Sequence, residues 1–160
     1  MPHLRPHITA LSAADRRLIE DEHARLERFL RDLCGTCCQF ESVADCQSCS
    51  NEQNASCRGR LPSFFHDFLD LVFEHFENEE KLMRNALQSP EETEYLWRHH
   101  EEHKNLLNEV KQQIQACSML SQQGNTAEAI RLFHQHVSEI FSEHARTFDN
   151  ALLQPVATAG

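Results

Sequence analysis

The sequence predicts an all-α protein, folded as an antiparallel up-down four-helix bundle with a Cys-rich loop inserted between the first two helices. Composition is the first indication, because the 160 residues include only four Gly and five Pro. Periodicity is the second, because apolar residues recur every three or four positions in four separate stretches. A chain of this length fits one domain with a core of its own.

The predicted bundle is flanked by two short segments. Pro2 and Pro6 oppose helix formation near the N-terminus. The ending QPVATAG follows the last apolar repeat and is expected to fray. The arm, the bundle and the flexible tail are therefore predicted at residues 1–11, 12–153 and 154–160.

Two helices and the insertion occupy the first half of the bundle. Ser12 and Asp15 form a capping-box-like start, and the first helix is expected to run to about Leu33. Residues 34–60 lose all periodicity and contain six of the seven Cys, so we interpret them as an insertion. The second helix is predicted over residues 61–86.

Clear boundary signals define the second half. The stretch Ser89-Pro90-Glu91-Glu92 predicts a helix start, with Ser as the N-cap and Pro as the first helical residue. Gly124 is expected to end this third helix, and Asn125 or Thr126 to cap the fourth. The short connections on both sides favour helices that pack as neighbours.

Polar residues occupy core positions on all four predicted helices. The apolar spacing of the second helix, continued past Val72, arrives at His75 and Glu79. Counted from the connecting turns by the helical rise, the other seam histidines fall at the same depth. A buried unpaired carboxylate costs several kcal/mol, so a bound metal is the simplest compensation. The other seam histidines are His23, His99, His103 and His144.

With Asp149 close by, this layer offers more ligands than one zinc ion usually takes. Imidazoles and carboxylates in this number suit two octahedral metals, and N and O ligation favours iron or manganese. The alternative is a set of core histidines that hydrogen-bond nearby acids. Asp149 is the least expected ligand, because it lies ~140° around an ideal helix from His144. Either the helix widens locally or the side chains straddle the metals; periodicity alone selects Phe148.

Four motifs, in order along the four helices, are similar to those of a known family. They are Asp21-Glu-His23, His75-Phe-Glu-Asn-Glu79-Glu with Met83, His99-x-x-Glu102-His103, and His144-x4-Asp149. The chain thereby resembles the hemerythrins, specifically bacterial hemerythrin-like domains. The resemblance spans roughly residues 11–153 and leaves out the Cys-rich insertion.

This resemblance implies two iron ions joined by an oxo or hydroxo bridge. One iron would be held by His99, His103 and His144, and the other by His23 and His75, with Glu79 and Asp149 bridging. The second iron would keep an open position at which O2 binds. A non-haem di-iron protein that binds O2 reversibly, for sensing, storage or delivery, is implied rather than an enzyme. Three alternatives stay open: iron handling or repair, a redox- or nitric oxide-responsive protein, and an enzyme that processes peroxide or nitric oxide.

The insertion carries a separate metal hypothesis. Two C-x-x-C pairs have the spacing of a zinc knuckle. The alternatives are a dithiol–disulfide switch, an inert loop and an iron–sulfur cluster. By helix length, the insertion should pack on the hairpin of the third and fourth helices, near Cys117, where it is a candidate surface for a protein partner. The predicted zinc ligands are Cys34, Cys37, Cys46 and Cys49, with Cys38 and Cys57 as alternatives.

Charge and segment composition limit the other partners. The formal net charge of −10 argues against nucleic acid or an anionic membrane. Apolar runs fall short of the ~20 residues of a membrane span, and the N-terminus lacks a secretory core, so the cytoplasm is expected. Three acidic residues, Glu80, Glu102 and Glu143, are expected in solvent, although Glu102 is also a candidate hydrogen-bond partner of a ligand. His100 should point about 100° away from His99, toward solvent or a helix boundary.

Overall fold

The computed structural model describes residues 11–34, 46 and 49–153, without the side chain of Cys34. These residues form four long helices, and no strand occurs within them. A π-helical turn and a short fifth helix continue the fourth helix. The elements are α1 (Ala13–Cys34), α2 (Asn51–Ala86), α3 (Pro90–Gln122), α4 (Thr126–His144), the π turn (Ala145–Asp149) and α5 (Asn150–Leu153). The all-α class is confirmed.

Side-chain caps confirm the predicted starts of three helices. In each case the cap oxygen accepts a backbone N–H three residues later, which satisfies a donor that has no partner inside the helix. Gly124 adopts a φ of 94°, a left-handed conformation that favours glycine, in the turn between α3 and α4. The caps are Ser12 with Asp15 (3.1 Å), Ser89 with Glu92 (3.2 Å) and Asn125 with Glu128 (3.4 Å).

The second helix begins earlier than the sequence predicted. It starts at Asn51 instead of Leu61, so residues 51–60 of the predicted insertion are helical. Ser50 caps this start, since its Oγ accepts the backbone N–H of Gln53 at 3.1 Å. Cys57 and Leu61 are both buried and extend the apolar seam by one turn. The later start was predicted because residues 34–60 show no apolar periodicity. Pro62 lies inside the helix, although proline in a helix interior usually costs ~3 kcal/mol.

The helices pack in chain order. α1 contacts α2, α2 contacts α3, and α3 contacts α4, while α4 also packs on α1 and closes the bundle. This is the neighbour pattern of an up-down bundle; the antiparallel direction stays a prediction. None of the helices in the described part is long and apolar enough to cross a bilayer.

A polar layer divides the apolar core into two clusters. The large cluster includes Leu26, Phe68, Val72, Leu106 and Val137. The small cluster comprises Leu11, Ile19, Met83, Leu87, Tyr95, Phe148, Ala151 and Leu152. On every long helix, the predicted metal-binding histidines lie between residues of the large cluster and residues of the small one. The layer therefore crosses the whole bundle.

Part of the Cys-rich segment rests on the α3–α4 hairpin. Cys46 is buried in the large cluster together with Cys117, and its Sγ accepts the backbone N–H of Ala127 at 3.2 Å. For Cys46, the predicted packing is therefore confirmed. Cys37 and Cys38 lie outside the described residues, as do the N-terminal arm up to residue 10 and the tail. No Cys in the described part joins a cluster of three metal-binding atoms, so the zinc site stays a prediction.

Candidate metal centre

The structure brings all seven predicted metal-binding residues of the bundle together in the polar layer. Six are almost completely buried, with side chains at most 3% exposed. His23 differs, because 25% of its side chain is exposed. The six buried residues are His75, Glu79, His99, His103, His144 and Asp149.

The potential ligand atoms fall into two overlapping groups. Within each group, the ring nitrogens and carboxylate oxygens lie within 4.8 Å of one another. The first group contains three histidines and the second contains two, and both include Glu79 and Asp149. The histidines of the first group are His99, His103 and His144, and those of the second are His23 and His75.

Each oxygen of Glu79 faces a different group. Oε1 lies 2.7 Å from His99 Nε2 and 3.5 Å from His103 Nε2. Oε2 lies 3.2 Å from His75 Nε2 and 4.0 Å from His23 Nε2. The carboxylate therefore stands between the three-histidine side and the two-histidine side.

Asp149 divides its oxygens in the same way. Oδ1 lies 3.0 Å from His144 Nε2 and 3.1 Å from His99 Nε2. Oδ2 lies 3.0 Å from His23 Nε2. Two carboxylates from different elements thus present one oxygen to each side, an arrangement that suits a pair of bridged cations.

The π turn places Asp149 in this layer. A π-helix has more residues per turn than an α-helix, so a residue five positions after His144 returns to the same face. The local widening considered from the sequence is therefore present, at Ala145–Asp149. The buried hydroxyl of Tyr95 donates a 2.6 Å hydrogen bond to the carbonyl of Phe148 inside this turn. Tyr95 thereby ties α3 to the backbone that carries Asp149.

Two carboxylates outside the cluster orient histidines within it. Glu22 Oε2 lies 2.8 Å from His75 Nδ1, and Asn78 donates to the other oxygen of Glu22 at 3.2 Å. Glu80 Oε1 lies 2.9 Å from His103 Nδ1. Both contacts hold an Nδ1–H outward and leave Nε2 directed at the cluster, as is usual for metal-binding histidines.

These orienting contacts correct one expectation and agree with another. Glu80 is only 14% exposed and so is not a solvated residue. His100 is partly exposed, and its Nδ1 contacts Glu80 Oε1 at 2.9 Å, so it lies at a helix boundary as expected. Helical periodicity could not predict these contacts, because it describes one helix at a time and these pairs join neighbouring helices.

Unsatisfied polar atoms show that the cluster fits a cation. Among the described residues, both oxygens of Glu79, His103 Nε2 and Asp149 Oδ1 are buried without a hydrogen-bond partner. Several are close to a ring nitrogen, but they are not aligned as donor and acceptor. Leaving a charged group in this state is expensive, because burial removes the water that would solvate it. Ligation of cations by these atoms removes the penalty.

The electrostatics of the metal-free cluster lead to the same conclusion. Burial alone lowers the pKa of His75, but the hydrogen bond with Glu22 and the charges of Glu79 and Asp149 raise it to about 10. Burial is likewise outweighed at His99, where the charges of Glu79 and Asp149 raise the pKa to about 9. Burial and the Glu79 charge raise the pKa of Asp149, yet the close ring nitrogens of His144, His23 and His99 lower it to about 2. Protons on imidazoles therefore balance the carboxylates where cations would otherwise do so.

Aromatic rings cover the three-histidine side. Phe76 stacks on His103 with ring centroids 4.0 Å apart and planes 8° apart. Phe148 stacks on His99 at 5.0 Å. These contacts fix the imidazole planes, so Phe76 and Phe148 are walls of the site in addition to being core residues.

The two-histidine side adjoins a cavity. It lies between α1 and α4, has a volume of about 650 Å³, and includes His23 and Asp149 in its lining. It is partly open to solvent along the surface residues of α1 and α4. The site is therefore closed on one side and accessible on the other.

Together, the bundle and its layer define a helical protein with a buried His and carboxylate site for cations. A family model, the hemerythrin HHE cation-binding domain, matches residues 15–154. The chain belongs to this hemerythrin family. Comparisons with curated proteins and with solved structures gave no match.

Proposed function

We propose that the chain holds two iron ions in the polar layer and binds O2 reversibly, for oxygen sensing, storage or delivery. One observation supports this most directly. In both Glu79 and Asp149, one carboxylate oxygen faces the three-histidine side and the second oxygen faces the two-histidine side. A single cation needs no such division. Two adjacent cations can be bridged by carboxylates, and the chain supplies two in the right places.

The proposed ligand roles follow from these contacts. The three-histidine iron would be held by His99, His103 and His144, and the two-histidine iron by His23 and His75, with an oxo or hydroxo group as a further bridge. When bound, the iron pair would supply the redox chemistry on which reversible O2 binding depends. Imidazole and carboxylate ligation suits iron, although manganese shares the same preferences.

The difference in ligand number favours ligand binding at one iron. The protein offers five ligand residues to the three-histidine side and four to the other. An octahedral ion on the two-histidine side would therefore have one protein ligand fewer than an ion on the other side. The position left open can bind an exogenous molecule. The cavity that includes His23 and Asp149 reaches this same side.

The donor set also favours binding over oxygenase chemistry. Di-iron bundles that activate O2 combine more carboxylates with fewer imidazoles. Here five histidines surround two carboxylates. The buried aromatic walls exclude water from the three-histidine iron and limit side reactions there.

Metal content measured together with absorption spectroscopy tests the proposal. The chain, reduced without air and then exposed to O2, should contain two irons and develop a charge-transfer band that disappears when O2 is removed. Zinc or manganese in the bundle in place of iron would reject the di-iron assignment. Irreversible oxidation of the irons by O2, or steady turnover of peroxide or nitric oxide with an added reductant, would reject reversible O2 binding as the function.

A further inference from the structure

The cavity between α1 and α4 is larger than a diatomic ligand requires. Its volume of about 650 Å³ lies within the roughly 300–1,000 Å³ range of cavities that hold small organic molecules. O2 has two atoms and would leave most of this space filled by water. The cavity is therefore large enough for a molecule bigger than O2.

Small residues on α4 create this space. Ser138 and Ser142 of α4 and Ala145 of the π turn line the cavity at spacings of four and three residues, so they lie on one face of the continuous helix. Leu26 and Leu30 line the α1 side. The result is a groove with apolar walls running along the two helices, closed at one end by the buried carboxylate of Asp149.

The ends of the groove differ in charge. Arg31 lies eight residues beyond His23 on α1, roughly 12 Å by the helical rise. His134 lies ten residues before His144 on α4, roughly 15 Å from the metal layer. Both line the cavity, so its far end carries a guanidinium and an imidazole. Glu27 also lines the cavity from an exposed position, but no ion pair joins it to Arg31 in the described part of the chain.

We infer that this groove binds a small amphipathic monocarboxylate, such as a medium-chain fatty acid. Its carboxylate pairs with Arg31 at the far end, and its chain lies against Leu26, Leu30 and Phe141. The end of the chain faces His23 and Asp149. Binding needs only the groove, whereas its consequence rests on the proposed function: the bound molecule stands between solvent and the open iron position and regulates access to it.

Calorimetric titration of the iron-loaded chain with octanoate tests the inference. One octanoate should bind per chain. Arg31→Ala should weaken octanoate binding by about tenfold, because it removes a charge-assisted contact, and should leave the binding of 1-octanol unchanged. Arg28→Ala is the matched control, since Arg28 lies one turn earlier on α1 and does not line the groove. Equal losses in the two variants would overturn the assignment of the headgroup.

A second pair of variants tests the location. Ser138→Phe fills the groove and should abolish octanoate binding, whereas Gln135→Phe, at an exposed position of the same helix, should leave it intact. Circular dichroism checks that both variants fold. If Ser138→Phe does not fold, Ser142→Leu replaces it, because Ser142 lies on the same wall at a more exposed position. Octanoate binding that survives both wall variants rejects the groove as the site.

The remaining outcomes separate this inference from the proposed function. A chain that contains two irons and binds O2 but takes up no octanoate rejects only the inference. A chain that takes up no iron but still binds octanoate in the groove rejects the proposed function and the regulation that rests on it, and supports the groove as the binding site. If octanoate binds only after residues 1–10 are removed, a segment of the chain itself occupies the groove, and the inference is wrong.

Discussion

The two sides of the metal centre are built differently, although they share Glu79 and Asp149. The three histidines of one side are at most 2% exposed and come from α3 and α4. The two histidines of the other side come from α1 and α2, and a quarter of the His23 side chain is exposed. Phe76 and Phe148 cover the first side, whereas a cavity reaches the second.

This difference indicates how one layer can both retain metal and admit a ligand. A buried, fully surrounded ion exchanges slowly with solvent, since its ligands cannot separate without opening the core. An ion beside a cavity has fewer protein ligands and an approach for small molecules. If two ions are bound, the shared carboxylates would couple them, so that a change at one ion would affect the other.

The largest expected effect comes from removing a shared carboxylate. Glu79→Ala should abolish or strongly weaken the binding of both irons, because both sides lose an oxygen. His75→Ala and His23→Ala should instead release mainly one iron. Metal content after dialysis measures this, with Glu77→Ala, at an exposed position of α2, as the control. Equal loss of both irons in all three variants contradicts separate roles for the two sides.

Removing an orienting carboxylate should have a smaller effect that differs between the sides. Glu22→Gln should weaken the two-histidine iron and Glu80→Gln the three-histidine iron, each by about 10–100-fold in affinity. The physical reason is the loss of the charge that fixes the tautomer of His75 or His103. Competition with a chelator measures the two affinities, and Glu20→Gln, exposed on α1, is the matched control. A control that weakens iron binding as much as Glu22→Gln would show a general effect of charge.

Metal uptake should depend on pH through one histidine on each side. At pH 7 the metal-free chain holds protons on His75 and His99, whose pKa values are raised to about 10 and about 9. Ligation displaces these protons, so iron affinity should rise about tenfold per pH unit on each side. The rise should level off first for the three-histidine side, near pH 9. Calorimetry in buffers of different ionisation enthalpy counts the protons released, and uptake without proton release would contradict these protonation states.

The smallest effect is expected at the π turn. Tyr95→Phe removes the hydrogen bond to the Phe148 carbonyl and should lower the free energy of unfolding by about 1 kcal/mol. It should also loosen the turn that positions Asp149, so the spectrum of the iron pair should shift while the metal content stays unchanged. Trp97→Phe, at a position 61% exposed on the same helix, is the control. An unchanged spectrum together with lower stability would limit Tyr95 to a structural role.

Much of the fold and most of the metal layer could be predicted from the sequence, because helical periodicity places residues on one face of their own helix. His75 and Glu79 stood where apolar residues were due, and the seam histidines of α3 and α4 fell at the same depth. The helix starts at Ser12, Ser89 and Asn125 followed from local capping chemistry. Apolar spacing and capping residues both lie within a few residues of the helix face or helix start that they predict.

The features that were missed depend on contacts between helices or lack a periodic pattern. The first turns of α2 were missed because Cys57 is the one buried residue among residues 51–60, and a single apolar position makes no periodic pattern. The roles of Glu22 and Glu80 depend on which carboxylate on a neighbouring helix reaches an imidazole, and periodicity contains no such information. Only the family motif identified Asp149 as a metal ligand, because the α-helical register places Phe148 on the core face instead.

The division of the core by the polar layer has a consequence for folding cooperativity. In the described part of the chain, the large and small clusters are separated by a layer in which several buried polar atoms have no hydrogen-bond partner in the absence of cations. Ions ligated by all four helices would join the clusters into one unit. Without ions, the coupling between the melting of the two clusters rests on the helices that run through both. Binding of metal is therefore expected to turn two unfolding steps into a single one.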